Sequence, residues 1–212
     1  IKINGVVATT GMKVKPGDVV TFDGKEIKPL SKKVYIALNK PRGIISTTDT
    51  SKLGNLITFM NYPEKIFMIG RLDKDSSGLL LLTNDGDIVN KILRAENGHD
   101  KKYIVTVSKK ITNDFVNKMQ SGVLIYNPVQ HRDQVTLPTK VRVIDDFTFE
   151  ITLNQGLNRQ IRRMVDALDN HVETLKRISV MHIKLDDLEE GYWRYLTEDE
   201  LAYICKQIKN II

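Results

Sequence analysis

Apolar and polar positions along this chain change period several times, and each change marks an element. Residues 1–30 alternate short β-like runs with turns. Ile1 to Ile3, Val6-Val7 and Val19 to Phe22 are separated by Asn4-Gly5, Pro16-Gly17-Asp18 and Asp23-Gly24; Asn-Gly and Asp-Gly pairs accept the positive φ that tight hairpins require. Thirty residues of this kind cannot bury a core alone, so they form a small unit or an extension of the next one. Pro29 to Lys33 reads as a linker, and Val34 to Leu38 as a strand entering a larger domain, residues 34–212. That strand runs into Asn39-Lys40-Pro41-Arg42-Gly43, where Pro and Gly enforce a turn that presents Lys40 and Arg42.

The second domain carries one dominant signal, Leu79 to Leu82, four consecutive leucines preceded by the charged turn Gly70 to Gly78. A short continuous apolar run is a strand buried on both faces, so the turn holds polar side chains at the end of a buried segment. Residues 87–94 then read as a helix with Ile88, Ile92 and Leu93 on one face and Asp85 or Asp87 near its positive end. Lys102 to Val107 is a strand by its β-branched content. Thr112 caps a helix buried through Phe115, Val116 and Met119 and stopped by Gly122. Val141 to Ile144 and Phe147 to Leu153 pair as a hairpin across Asp145-Asp146. In the next helix Asn158 is the expected N-cap, Ile161, Met164, Val165 and Leu168 form the buried stripe, and Arg159, Arg162 and Arg163 lie off it. Strands span Val172 to Leu185. The last helix opens on a capping box, Thr197 and Glu200, and is expected to bury Leu201, Ile204, Cys205 and Ile208. Strands and helices mix without regular βαβ alternation, which argues for an α+β fold.

Composition adds little until charge is located. With 41% hydrophobic and 27% charged residues the chain is an ordinary globular protein. No apolar run approaches the roughly 18 residues of a membrane span, and no signal-peptide pattern opens the chain. Together with the lone Cys205 these features lead us to expect a cytoplasmic protein. The start at Ile1, inside a strand-like run, suggests that residues precede it. The net charge of +6 hints at a polyanionic partner. Residues 1–33 carry seven Lys and three acids, whereas residues 184–212 carry four bases and seven acids, so the C-terminal end is expected to face away from nucleic acid. Three cations at the start of the 158–164 helix oppose its dipole, which points to nearby anions, either an RNA phosphate or an internal carboxylate.

Metal-ligand patterns in the sequence are incomplete. Asp73-Lys74-Asp75-Ser76-Ser77-Gly78 matches the start of a calcium loop, but the twelfth position is Asn84 where a bidentate Glu is required. His99, His131, His171 and His182 show no zinc spacing. No P-loop or Rossmann fingerprint occurs. What remains is an acidic turn, a tyrosine on a strand and an arginine-rich helix start. A carboxylate can act as nucleophile or base without a metal if an arginine holds it ionised. Taken singly, Asp73 reads equally as a turn residue bonding its own backbone, Tyr103 as a half-buried strand aromatic, and Arg162 as a surface cation. A glycosidase would need a second carboxylate, and Asp75, an i+2 neighbour on a turn, is expected to point elsewhere.

The motif GRLDKDSSGLLLLTNDGD, followed by KKYIV and then LNQGLNRQIRRM, with LNKPRGIISTT before them, resembles the RsuA-type family of pseudouridine synthases in order and spacing. The segment INGVVATTGMKVKPGDVVTFDGKEI resembles the C-terminal half of an S4 RNA-binding domain. The resemblance implies an α+β pseudouridine synthase fold with a mixed, mainly antiparallel sheet flanked by helices, behind a partial S4-like domain (residues 1–30). It implies isomerisation of a uridine in structured RNA, ribosomal RNA with tRNA as a further candidate, by a monomer without cofactor or metal. The family's catalytic aspartate falls on Asp73, its active-site tyrosine on Tyr103, and the basic partner of the aspartate on Arg162. Asp73 would attack C1′ or remove a sugar proton. Lys40, Arg42, Arg71, Asn158, Arg159, Gln160 and Arg163 are the expected RNA contacts. The main rival is a non-catalytic RNA-binding or ribosome-associated protein on the same fold.

Overall fold

The computed structural model of the protein describes residues 1–27, 32–96 and 100–209, with the backbone alone for residues 94–96, 208 and 209. Residues 29–31 of the expected linker, His99 and the Ile208 side chain lie outside the described residues. The chain divides into two compact units, Ile1–Lys33 and Val34–Ile212. In the first, β1 (Lys2–Ile3), β2 (Val6–Val7), β3 (Val20–Phe22) and β4 (Lys25–Glu26) form an antiparallel sheet in the order β2-β1-β3-β4. Its turns use the left-handed conformations expected of their residues: φ is 50° at Asn4 and 82° at Gly5, 47° at Asp23 and 77° at Gly24.

The second unit begins with β5 (Tyr35–Lys40), α1 (Leu56–Met60), β6 (Phe67–Ile69) and β7 (Ser77–Thr83). It continues through α2 (Gly86–Glu96), β8 (Lys101–Val107), α3 (Asn113–Ser121) and a hairpin of β9 (Leu124–Asn127) and β10 (Arg132–Val135). After these come β11 (Lys140–Val143), β12 (Thr148–Leu153), α4 (Gln160–Asp166), β13 (Val172–Val180), β14 (Ile183–Lys184), β15 (Trp193–Tyr195) and α5 (Glu198–Lys209). A nine-stranded sheet runs β11-β12-β8-β13-β7-β5-β15, with β6 on β7 and β14 on β13. Its neighbours are antiparallel except for β13 and β7, which run parallel. The sheet is therefore mixed and mainly antiparallel, as expected.

The four leucines of β7 are all buried because both faces of the strand are covered. Leu79 and Leu81 pack with Ile92 of α2 and Ile204 of α5, while Leu80 and Leu82 pack with Leu56 and Met60 of α1. A third cluster joins Val105, Phe149 and Ile151 of the sheet to Phe115 and Met119 of α3 and Ile161, Met164 and Val165 of α4. Gly78 opens β7 at φ 103°, and a Cβ there would overlap the backbone carbonyl of Arg177. Only glycine lets β7 and β13 come this close.

Three local expectations give way. The N-cap of α4 is Arg159 in the left-handed conformation (φ 49°) with no capping side chain, because Asn158 Oδ1 and O are taken by the Arg163 guanidinium. Arg162 does not lie off the buried stripe; it is 7% exposed. A helix of seven residues wedged between sheet and loop has few exposed positions, and the arginine stem packs while its head reaches backbone carbonyls. Cys205 is exposed, although the capping box that starts its helix forms as expected, with Thr197 N donating to Glu200 Oε2 at 2.8 Å and Glu200 N to Thr197 Oγ1 at 3.2 Å. Ile204 takes the buried position, and the next residue is turned about 100° around the axis.

Candidate active site

Asp73 sits on the loop between β6 and β7, and that loop is fixed on both sides of it. Gly70, at φ 75°, swings the chain out of β6, and Leu72 buries its side chain. The buried Ser46 hydroxyl donates to Leu72 O at 2.7 Å and accepts from Leu72 N at 3.3 Å. Gly43 N donates to Lys74 O, and Ser76 N to Asp73 O. The side chain is left as the variable part, with 38% of its surface exposed at the mouth of a cleft of about 660 Å³. Arg71, Asp73, Tyr103, Asn158, Arg159, Gln160 and Arg162, all expected site residues, line this cleft.

Tyr103 stands half-buried on β8, packed against the clusters on either side of it, so its ring is held by the core while one side meets the cleft. The arginines arrange themselves otherwise than expected. Asp73 Oδ2 makes its ion pair with Arg159 Nη1 at 3.6 Å rather than with Arg162, and Asp75, expected to point elsewhere, faces the same nitrogen at 3.7 Å. Of the three cations that oppose the α4 dipole, Arg159 thus finds internal carboxylates, whereas Arg162 and Arg163 find carbonyl and amide oxygens. Arg162 donates from Nη1 to Val172 O at 3.2 Å and from Nη2 to Asp75 O at 3.0 Å, while its buried Nε has no partner among the described residues. Burial, and next the charge of Arg159, lower its pKa from the ordinary guanidinium value, and Asp75 and Asp73 act against them. A guanidinium stays charged regardless, so Arg162 supports the Asp73–Asp75 turn from beneath.

Three expected RNA contacts are held inside. Lys40 is fully buried at the end of β5, with Nζ donating to Pro41 O and Ile44 O at 2.8 Å each. The turn that was expected to present it wraps around its ammonium instead. Burial pushes the Lys40 pKa down to about 8, against the charges of Glu190, Asp73 and Asp75. Gln160 is 4% exposed and bonds Gln155 and Leu157 N. Arg163 is half-buried and spends its guanidinium on Asn158 and on Tyr126 O of β9, tying α4 to the β9–β10 hairpin. Arg42, Arg71, Asn158 and Arg159 remain exposed.

Several cleft residues escape the sequence reading, among them the buried cations Lys101 and Arg177. Arg177 could have been found. It continues the buried row of β13 two positions after Leu175, where an apolar residue would be ordinary. No group of His, Cys, Asp and Glu able to hold a metal occurs among the described residues, and no described helix is long and apolar enough to cross a membrane.

A carboxylate paired with arginine, a strand tyrosine and several cations thus meet in one cleft on the mixed sheet. The RNA pseudouridylate synthase family model matches residues 34–167, and the chain belongs to that family. It is 49% identical over 210 residues to the dual-specificity RNA pseudouridine synthase RluF of Escherichia coli K12, covering 98% of this chain and 70% of that protein. The ribosomal large subunit pseudouridine synthase B of Bacillus subtilis is 34% identical, with 95% of this chain and 83% of that protein covered. A crystal structure of a pseudouridylate synthase superposes with a TM-score of 0.74 at 30% identity, covering 96% of this chain and 87% of that one.

Proposed function

We infer that this protein isomerises a uridine within structured RNA to pseudouridine, with large-subunit ribosomal RNA as the substrate class. The observation that carries this reading is Asp73, fixed by its loop beside Tyr103 and Arg159 at the mouth of the cleft. Family membership and the ribosomal relative support it. Isomerisation breaks the N1–C1′ bond, turns the base and rejoins it through C5, so no group or electron enters or leaves and no cofactor is needed. Asp73 attacks C1′ or takes a sugar proton; on either route one carboxylate suffices, because the base is reused rather than replaced by water. Tyr103 stacks on the extruded uracil. Arg159 pairs directly with Asp73, and Arg162 holds the turn in place.

The target base must leave its stack, at a cost of roughly a few kcal/mol. Arg42, Arg71, Asn158 and Arg159 are exposed and grip the opened backbone; Lys40, Gln160 and Arg163 instead bond within the protein and hold the loops and helix around the site. On its sequence pattern, we assign the first unit to an S4-like RNA-binding domain. In this reading the protein acts on ribosomal RNA as a monomer in the cytoplasm. The test is to map pseudouridines, by carbodiimide modification and primer extension, in rRNA and tRNA from cells with and without the gene. A protein-dependent stop at a uridine is expected, and identical maps would contradict the reading.

A further inference from the structure

We propose that Arg177 is a catalytic residue that binds the carbonyl oxygens of the detached uracil and stabilises its negative charge. This inference rests on the isomerase reading above. Arg177 is 3% exposed, yet it lines the cleft. Its Nε donates to Leu79 O at 2.8 Å, which fixes the plane of the guanidinium. Among the described residues, Nη1 and Nη2 have neither a hydrogen-bond acceptor nor a carboxylate partner, and neither is sealed from solvent. A buried cation normally finds an anion in its own protein. This one lines, with two unused NH2 groups, a cleft built to receive a nucleotide.

Its position selects the base over the phosphates. Arg177 and Tyr103 are directly paired across β13 and β8, so their side chains share one face of the sheet. The exposed Arg42, Arg71 and Arg159 are suited to phosphates, whereas Arg177 belongs to the sheet floor, where the ring stacked on Tyr103 would lie. The chemistry asks for a cation there. When N1–C1′ breaks, the bonding pair leaves with the uracil, and the resulting anion spreads its charge over N1 and the O2 and O4 carbonyls. C5 then bonds C1′, the C5 proton is lost, and N1 takes up a proton, so atoms and charge balance. A preorganised donor pair in a water-poor floor is worth most where charge develops, typically about 10²–10³ in rate. Gly78 serves the same end: its missing side chain lets β7 close on the Arg177 backbone and brings Leu79 O to Nε.

The experiment compares wild-type protein, R177Q and R177K on a transcript carrying 5-tritiated uridine, measuring the single-turnover rate at saturating RNA, the RNA Kd and Tm. The expected result is a rate loss of roughly 100-fold or more for R177Q, Kd within a few-fold of wild type, and partial recovery in R177K, which keeps the charge and the buried stem but loses the fork. A contact to phosphate would show instead as weakened Kd with the saturated rate retained, and would overturn the assignment to the base. A rate loss in R177K matched by a fall in Tm, or wild-type rates in both variants, would also overturn it. Wild-type protein that releases no tritium defeats the isomerase reading itself; normal wild-type turnover with an equally fast R177Q defeats only this inference.

Discussion

Replacing Lys40 by Met changes how stability depends on pH, and the size of the change follows from the burial of one ammonium. In the folded protein the Lys40 pKa is lowered from 10.5 to about 8, with burial the largest cause. Below pH 8 the lysine is charged in both states, and the folded state carries the full desolvation penalty. Between about 8 and 10.5 the unfolded chain still binds the proton that the folded protein has released, so stability rises with pH through this window. A shift of about 2.5 units corresponds to an effect on the order of 3 kcal/mol, most of it gained by pH 10. K40M has no proton to lose. Its absolute stability at pH 7 combines relief of the buried charge with two carbonyls, of Pro41 and Ile44, left without their donor. The difference between the proteins isolates the titration, because every other group cancels. Urea unfolding of both at pH 7, 8, 9 and 10 should show wild type gaining on K40M by about 2–3 kcal/mol across the series. A difference constant to within about 0.5 kcal/mol would mean that Lys40 titrates normally, its bonds to the Pro41 and Ile44 carbonyls offsetting the cost of burial.

Two other perturbations have clear outcomes. G78A forces a Cβ against the Arg177 carbonyl at a positive φ, so it should cost at least about 2 kcal/mol in denaturant unfolding and lower the isomerisation rate as well; a neutral effect would show that β7 and β13 need no close approach. R159Q removes an exposed cation from the cleft rim, where its ion pairs contribute little to stability. It should reduce the slope of log K against log salt for RNA by about 0.7–0.9 with Tm unchanged, and an unaltered slope would take Arg159 off the phosphate contacts.

How far the fold could be read from residues depended on whether a signal was local. The hairpins of the first unit, the Thr112 and Thr197 caps and the doubly buried leucines of β7 follow from neighbours within a few positions, and they stand in the structure as expected. The β9–β10 hairpin was not foreseen, since Leu124 to Val135 alternates weakly and leaves Leu124, Tyr126 and Val135 exposed. Errors in the site share one cause. Lys40, Gln160, Arg162 and Arg163 are long polar side chains whose type suggests solvent or RNA, but each finds carbonyl or amide partners instead, within five residues for Lys40 and Gln160 and through tertiary contacts for Arg162 and Arg163. Arg162 reaches Asp75 O across 87 residues and Arg163 reaches Tyr126 O across 37. Periodicity places a residue on a face; it does not reveal an acceptor waiting there. Arg177 went unremarked for the same reason, since its bond to Leu79 O spans 98 residues.

The proposed isomerisation depends on Asp73 as the reacting carboxylate. Asn has nearly the same volume, and the Ser46, Gly43 and Ser76 bonds that hold the loop involve backbone atoms on its side of each contact, so D73N should preserve the site's shape. Tritium release from 5-tritiated uridine in an rRNA transcript should be abolished in D73N, while RNA affinity stays within a few-fold of wild type. Turnover by D73N at the wild-type rate would contradict the central claim.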